Sequence, residues 1–240
     1  MVEEKKSTFL SHIREFRSRL VRSVYALIIA IPIAYFLTAK VFDILTGITP
    51  NVELIYTEMT EMLGVFIKVN LILAFVLALP FIMYQFIMFV SPALTRTEKR
   101  YVYALLPSIF ILFIIGALFS YFVLLPPAMK FLLTFSTDIA QPMIKIGNYI
   151  SLVTTLIFWM GLCFEIPLVI FFLAKIGIVK TKWLTKYRKY AILIAFVLGA
   201  VITPTFDPVN QSLVAGPIIV LYELGILLSR FARKKQASPA

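Results

Sequence analysis

Of the 240 residues, 61% are hydrophobic and 15% charged, and the mean hydropathy is +0.95, which excludes a soluble globular chain and defines an integral membrane protein. The net charge of +11 does not point to nucleic acid, because the basic residues cluster at the ends of apolar runs, with no aromatic-interleaved groove. Cys163 and His12 are single, and there is no phosphate-binding glycine loop and no nucleophile beside a base, so no enzyme, cofactor or metal site is expected.

In chain order, residues 1–19 form an N-terminal amphipathic segment, with Ser7 or Thr8 as its cap and Phe9, Ile13, Phe16 and Leu20 at helical spacing. Glu15 and Arg19 stand four apart on it, a surface-type pair worth a few tenths of a kcal/mol. Six spans follow: Leu20 to Leu37, Leu63 to Val90, Tyr103 to Leu124, Tyr149 to Ala174, Tyr187 to Ile202 and Leu213 to Phe231. The expected fold is an all-α bundle of six transmembrane helices over 20–231, with a tail at 232–240, forming one membrane domain. Spans five and six are expected to be short. The fifth run reaches only about 24 Å against a hydrocarbon core of about 30 Å. A re-entrant hairpin turning at Pro204 and Pro208 is the alternative for the last two. Pro80 is expected to kink span two, and Thr57 to cap it with Glu58 and Glu61 in its first turn. Asp43 to Tyr56 and Pro126 to Asn148 read as long outer loops.

With both termini inside, nineteen Lys and Arg fall on the inner side, and only Lys40, Lys68, Lys130 and Lys145 on the outer. Both termini are therefore expected to be cytoplasmic. Acids are scarce on that side, and Glu15 and Glu98 are the two in ordered context. Each has a structural explanation, Glu15 in its pair with Arg19 and Glu98 in the capping box Thr95-Arg96-Thr97-Glu98. Two fixed carboxylates can also receive a cationic peptide, best through guanidinium, whose planar fork makes two parallel hydrogen bonds to a carboxylate.

Glu165 is the only charged side chain between Tyr149 and Ala174. An ionisable group there costs roughly 2.5–3.5 kcal/mol on insertion scales, which makes it a functional candidate, able to hydrogen-bond a partner helix; satisfaction inside the bundle beside Pro167 is the other reading. Glu223, near the middle of span six, is a second candidate with a less distinct role. A proton-coupled secondary transporter using Glu165 and Glu223 is the rival function, and a purely structural scaffold a third.

Several separated motifs, in order, carry a resemblance. They are His12-Ile13-Arg14-Glu15-Phe16-Arg17-Ser18-Arg19-Leu20; Pro80-Phe81-Ile82-Met83-Tyr84-Gln85 with Phe89-Val90-Ser91-Pro92-Ala93-Leu94 and Glu98; Gly161-Leu162-Cys163-Phe164-Glu165-Ile166-Pro167; Thr203-Pro204 through Asp207 to Gln211; and Pro217 to Leu221-Tyr222-Glu223. The chain resembles the TatC family, the multispanning C component of the twin-arginine protein translocase. The resemblance implies six helices in the cytoplasmic (inner) membrane and a receptor for twin-arginine signal peptides of folded proteins. It implies action with small single-span partners (A and B type), in a larger complex that has room for a homo-oligomer. It implies that Glu15 and Glu98, with Arg17 and Arg19, form the signal-peptide site. It further implies that Glu165, Gln85 and Glu223 are intramembrane polar groups, and that Gln211 and Asp207 lie near the contact with partner helices. Here Phe16 stands where the family pattern has leucine, Ile87 where it has tryptophan, and Thr203-Pro204-Thr205-Phe206-Asp207 where it has Thr-Pro-Pro-Asp.

Overall fold

A computed structural model gives the backbone of residues 2–48, 54–90, 96–134, 143–203 and 207–234, with side chains described over 13–48, 54–89, 107–134, 143–203 and 207–231. The helices are α1 (Val2–Thr46), α2 (Glu61–Val90), α3 (Arg96–Phe119), α4 (Leu125–Thr134), α5 (Ile146–Cys163), α6 (Ile166–Lys175), α7 (Thr181–Lys186), α8 (Arg188–Ile202) and α9 (Pro208–Lys234). Five stretches are long and apolar enough to cross a bilayer: Ile13–Thr46, Glu61–Phe89, Pro107–Thr134, Ile146–Lys175 and Pro208–Phe231. The sixth transmembrane helix, α8, has 15 residues and rises only about 22 Å, so span five is short as expected.

Several boundaries differ from the expected ones, each for a local reason. The N-terminal segment and span one are a single helix, so Ser7 and Thr8 lie inside α1 rather than at its start. At its other end α1 runs on to Thr46, into the stretch expected to be loop. The carbonyls of Ile44 and Leu45, left without intrahelical donors, accept hydrogen bonds from the Tyr121 hydroxyl at 3.1 Å and the Tyr149 hydroxyl at 3.0 Å. Span three does not end at Leu124, and the stretch from Pro126 to Thr134 expected to open the outer loop is helical. A π-helical turn, Ser120–Leu124, carries α3 into α4. Pro126 and Pro127 have no N–H to offer the preceding turn, and in the first turn of α4 none is needed. Span six begins earlier than its apolar run and is long rather than short, because Asp207 caps it: its carboxylate accepts from the Asn210 N–H at 2.7 Å. The expected kink site, Pro80, lies inside α2, which continues through it.

By backbone contacts the chain divides into two compact units, residues 1–41 with 67–110 and residues 42–66 with 111–240. In the first, α1 and α2 pack through alanines, with Ala30, Ala34, Ala74 and Ala78 all buried. Small side chains let the helix backbones approach, which in lipid replaces the hydrophobic drive available in water. A polar pair fixes the register: Asn70 Nδ2 donates to Thr38 Oγ1 at 3.1 Å, both residues being buried.

In the second unit α6 and α8 pack on α9. Gly225 faces Ile170 and Gly199 faces Gln211, and a Cβ at either glycine would lie 2.6–2.8 Å from its neighbour. On the loop side, Leu54–Ile55 and Ile144–Lys145 form a two-residue parallel pair. Glu61 fastens this layer. One carboxylate oxygen accepts from the Thr57 N–H at 2.9 Å and the other from the Gly147 N–H at 2.9 Å. The expected cap is thus reversed, with the acid of the first turn reaching back to Thr57. Glu61→Ala is expected to speed amide hydrogen exchange at Thr57 and Gly147 several-fold while leaving the membrane helices unchanged. Unchanged exchange at those two amides would remove the clamp.

Candidate functional site

Glu15 lies on α1, half-buried, and its Oε1 accepts from Arg19 Nε at 2.9 Å and NH2 at 2.6 Å. The remaining guanidinium nitrogen of Arg19 reaches across to α2 and donates to Oε1 of the buried Gln85 at 3.3 Å. Sequence spacing gave the first pair; the second needs the packing of α1 on α2. Both bonds from Arg19 fall on one oxygen of Glu15, and the other has no partner among the described residues. The carboxylate is therefore fixed in direction, with one acceptor oxygen left over among the described residues. Phe16, the departure from the family's leucine, packs on Phe89 of α2 with ring centroids 5.2 Å apart. Arg17 is exposed and makes no ion pair among the described residues. Glu98 is in the first turn of α3, but its side chain, like Thr95 and His12, lies outside the described residues.

Glu165 sits at the break between α5 and α6. Pro167 supplies no N–H to Cys163, the helix loosens over Phe164–Glu165, and Glu165 becomes the first residue outside α6. The residue is 4% exposed. Neither carboxyl oxygen has a hydrogen-bond partner among the described residues, and the backbone of Phe113 is one polar group beside it. One turn earlier α5 meets α3 at a glycine contact: a Cβ on Gly116 would lie 2.8 Å from the Met160 carbonyl, and one on Gly161 would lie 2.5 Å from the Phe113 ring. Sequence reasoning misses these glycines. Their signal, small residues inside apolar runs, does not by itself say which helices meet.

The other expected residues are placed differently from one another. Glu223 is partly exposed and ion-paired with Arg188 at the start of α8, 2.7 Å apart. Tyr222 beside it donates to the Leu184 carbonyl at 2.9 Å rather than to Glu223. Gln211 donates to the Phe196 carbonyl of α8 at 2.9 Å. Asp207 serves as the cap of α9 described above. The structure thus brings Gln211 and Asp207 to one end of α9, joins Glu15 to Arg19 and Gln85, and leaves Glu165 without a hydrogen-bond partner among the described residues.

Comparison with known proteins agrees with this architecture. The family described as Sec-independent protein translocase protein (TatC) matches residues 11–217. The chain is 42% identical over 231 residues to the Sec-independent protein translocase protein TatC of Aquifex aeolicus (strain VF5), covering 94% of this chain and 95% of that one. To its counterpart in Carboxydothermus hydrogenoformans it is 37% identical over 239 residues, covering 99% and 98%. A crystal structure of the twin arginine translocase receptor TatC superposes with a TM-score of 0.82 at 43% identity, over 92% of this chain and 99% of that one. With the match running through nearly all of a six-helix membrane fold, the chain belongs to the TatC family of Sec-independent protein translocase proteins.

Proposed function

We propose that this protein is the signal-peptide receptor and core subunit of a twin-arginine translocase. On this reading it sits in the cytoplasmic membrane with both termini inside, has no catalytic activity, and organises small single-span partners for the export of folded proteins. The observation that carries the proposal is the state of Glu15. Its carboxylate already holds one guanidinium, from Arg19, in a charge-assisted contact, and its second oxygen has no partner among the described residues. A peptide arginine can add at that oxygen or take the place of Arg19, whose own bonds then rest on Gln85. Glu98 is proposed as the second acceptor, Arg17 as a flanking member of the site, and the α8 and α9 ends near Gln211 and Asp207 as the place where partner helices meet the chain.

The protein of the similar crystal structure is a twin arginine translocase receptor, which supports carrying the role to this chain. The transporter alternative finds less support: among the described residues no hydrogen bond joins Glu165 to Glu223, and Glu223 is neutralised by Arg188.

The deciding experiment is binding of a synthetic twin-arginine signal peptide and its twin-lysine version to the detergent-purified protein. The wild type is expected to prefer arginine. Glu15→Gln and Glu98→Gln are each expected to weaken arginine binding by about 10-fold or more, the value of a charge-assisted hydrogen bond of roughly 1.5–3 kcal/mol. Equal binding of the two peptides, untouched by either substitution, would refute the receptor reading.

A further inference from the structure

Along the first unit, α1 and α2 leave an elongated cavity of about 640 Å³. Its floor is small, with Ala26, Ala30 and Ala78, and its walls are large and apolar, with Ile29, Ile33 and Phe81 among them. At one end it closes on Arg22 and Tyr25. Positions 22, 25, 26, 29 and 33 recur at the spacing of one helix face, so Arg22 and Tyr25 stand over one end of an apolar slot about 16 Å long. Arg22 is exposed and has no ion pair among the described residues. Among the described residues its charge is uncompensated, beside a groove whose far part is wholly hydrocarbon in character.

We propose that this groove binds a phospholipid with an anionic headgroup, the phosphate held by Arg22 and the Tyr25 hydroxyl, and an acyl chain lying over the alanines. Charge complementarity fixes the sign of the headgroup: basic side chains at a pocket between membrane helices attract anionic lipid on that side. Tyr25 has the amphipathic ring suited to the headgroup level, one turn deeper than Arg22. Size favours a lipid over a protein helix. A helix about 10 Å across over the same 16 Å occupies roughly 1,300 Å³, about twice the slot, whereas hydrocarbon chains are thinner. The groove lies apart from the Glu15 oxygen assigned above to the signal peptide, so either reading can fail without the other.

The test uses the full chain, purified in detergent and titrated with phosphatidylglycerol or phosphatidylcholine of identical acyl chains, with bound lipid counted by native mass spectrometry. Wild type is expected to retain phosphatidylglycerol about fivefold better, the worth of one basic residue at an anionic membrane surface. Arg22→Gln is expected to abolish that preference, and Arg22→Lys to keep most of it. Ala26→Phe, which fills the slot, is expected to lower retention of both lipids. Glycerol phosphate is expected not to compete, which separates a lipid site from a phosphate site. Equal retention of the two lipids by wild type, or an unchanged preference in Arg22→Gln, would overturn the proposal. So would displacement of phosphatidylglycerol by a synthetic single-span peptide but not by excess phosphatidylcholine, which would give the groove to a partner helix. Arg22 is exposed, so its variants are expected to fold, and an unchanged elution volume checks that they do.

Discussion

Glu165→Met is expected to make the protein more stable and at the same time unable to support export. The two halves of this result come from one fact, that the carboxyl group is enclosed with neither oxygen hydrogen-bonded among the described residues. A buried polar group without a partner costs about 1–3 kcal/mol, and methionine fills a similar volume with no polar atom to desolvate. Thermal unfolding in detergent should therefore shift upward. Export of a twin-arginine reporter, in cells that depend on this chain for the C component, should fall to background if the carboxyl's partner is a helix that docks during transport. Glu165→Gln separates the contributions. It keeps hydrogen-bonding capacity without charge, and is expected to retain more export than methionine while gaining less stability. If methionine lowers stability, the carboxyl is satisfied within the bundle and its role is structural. If methionine leaves export intact, the group has no part in transport.

How far the sequence can be read follows from the range of the forces involved. The six spans are legible because hydropathy is a local sum, and the short fifth span because its apolar run, Tyr187 to Ile202, is short in the sequence itself. Glu15 and Arg19 are legible because four residues bring two side chains together on any helix. The bond from Arg19 to Gln85 is not, because it crosses 66 residues and depends on how α1 settles on α2. Asp207 shows the same limit in a turn. The family resemblance implies that it lies near partner helices, and the fold adds that it holds the first turn of α9. Glu61 has the position of a favourable charge at a helix start, and it ties two loops together as well. At Pro126 and Pro127 the ordinary rule that proline ends a helix gives way to a π turn, which re-phases the backbone so that the missing donors fall where a new helix does not need them. Glu165 is conspicuous in the sequence as an isolated charge. Its lack of partners among the described residues, which turns rarity into a specific expectation, requires coordinates.

Gly116→Ala is expected to destabilise the protein by about 1–3 kcal/mol, a large effect for one methyl group. The added carbon would come within 2.9 Å of the Gly161 Cα and 2.8 Å of the Met160 carbonyl, both backbone atoms, so relief requires α3 and α5 to move apart. Gly161→Ala presents a different obstacle, because the three nearest atoms to its Cβ all belong to the ring of Phe113, at 2.5 to 2.8 Å. A side chain can be shortened where a backbone cannot. The double variant Gly161→Ala with Phe113→Leu is therefore expected to recover much of the stability lost by Gly161→Ala, whereas Phe113→Leu is expected to do nothing for Gly116→Ala. Unfolding midpoints of the wild type, the single variants and the two doubles in one detergent supply the comparison. Equal rescue of both glycine variants, or of neither, would mean that α3 and α5 are not held at these contacts. Selective rescue would place the close approach of the two backbones one turn from Glu165, and explain why the carboxyl is enclosed: helices brought together at glycines leave no room beside them for solvent.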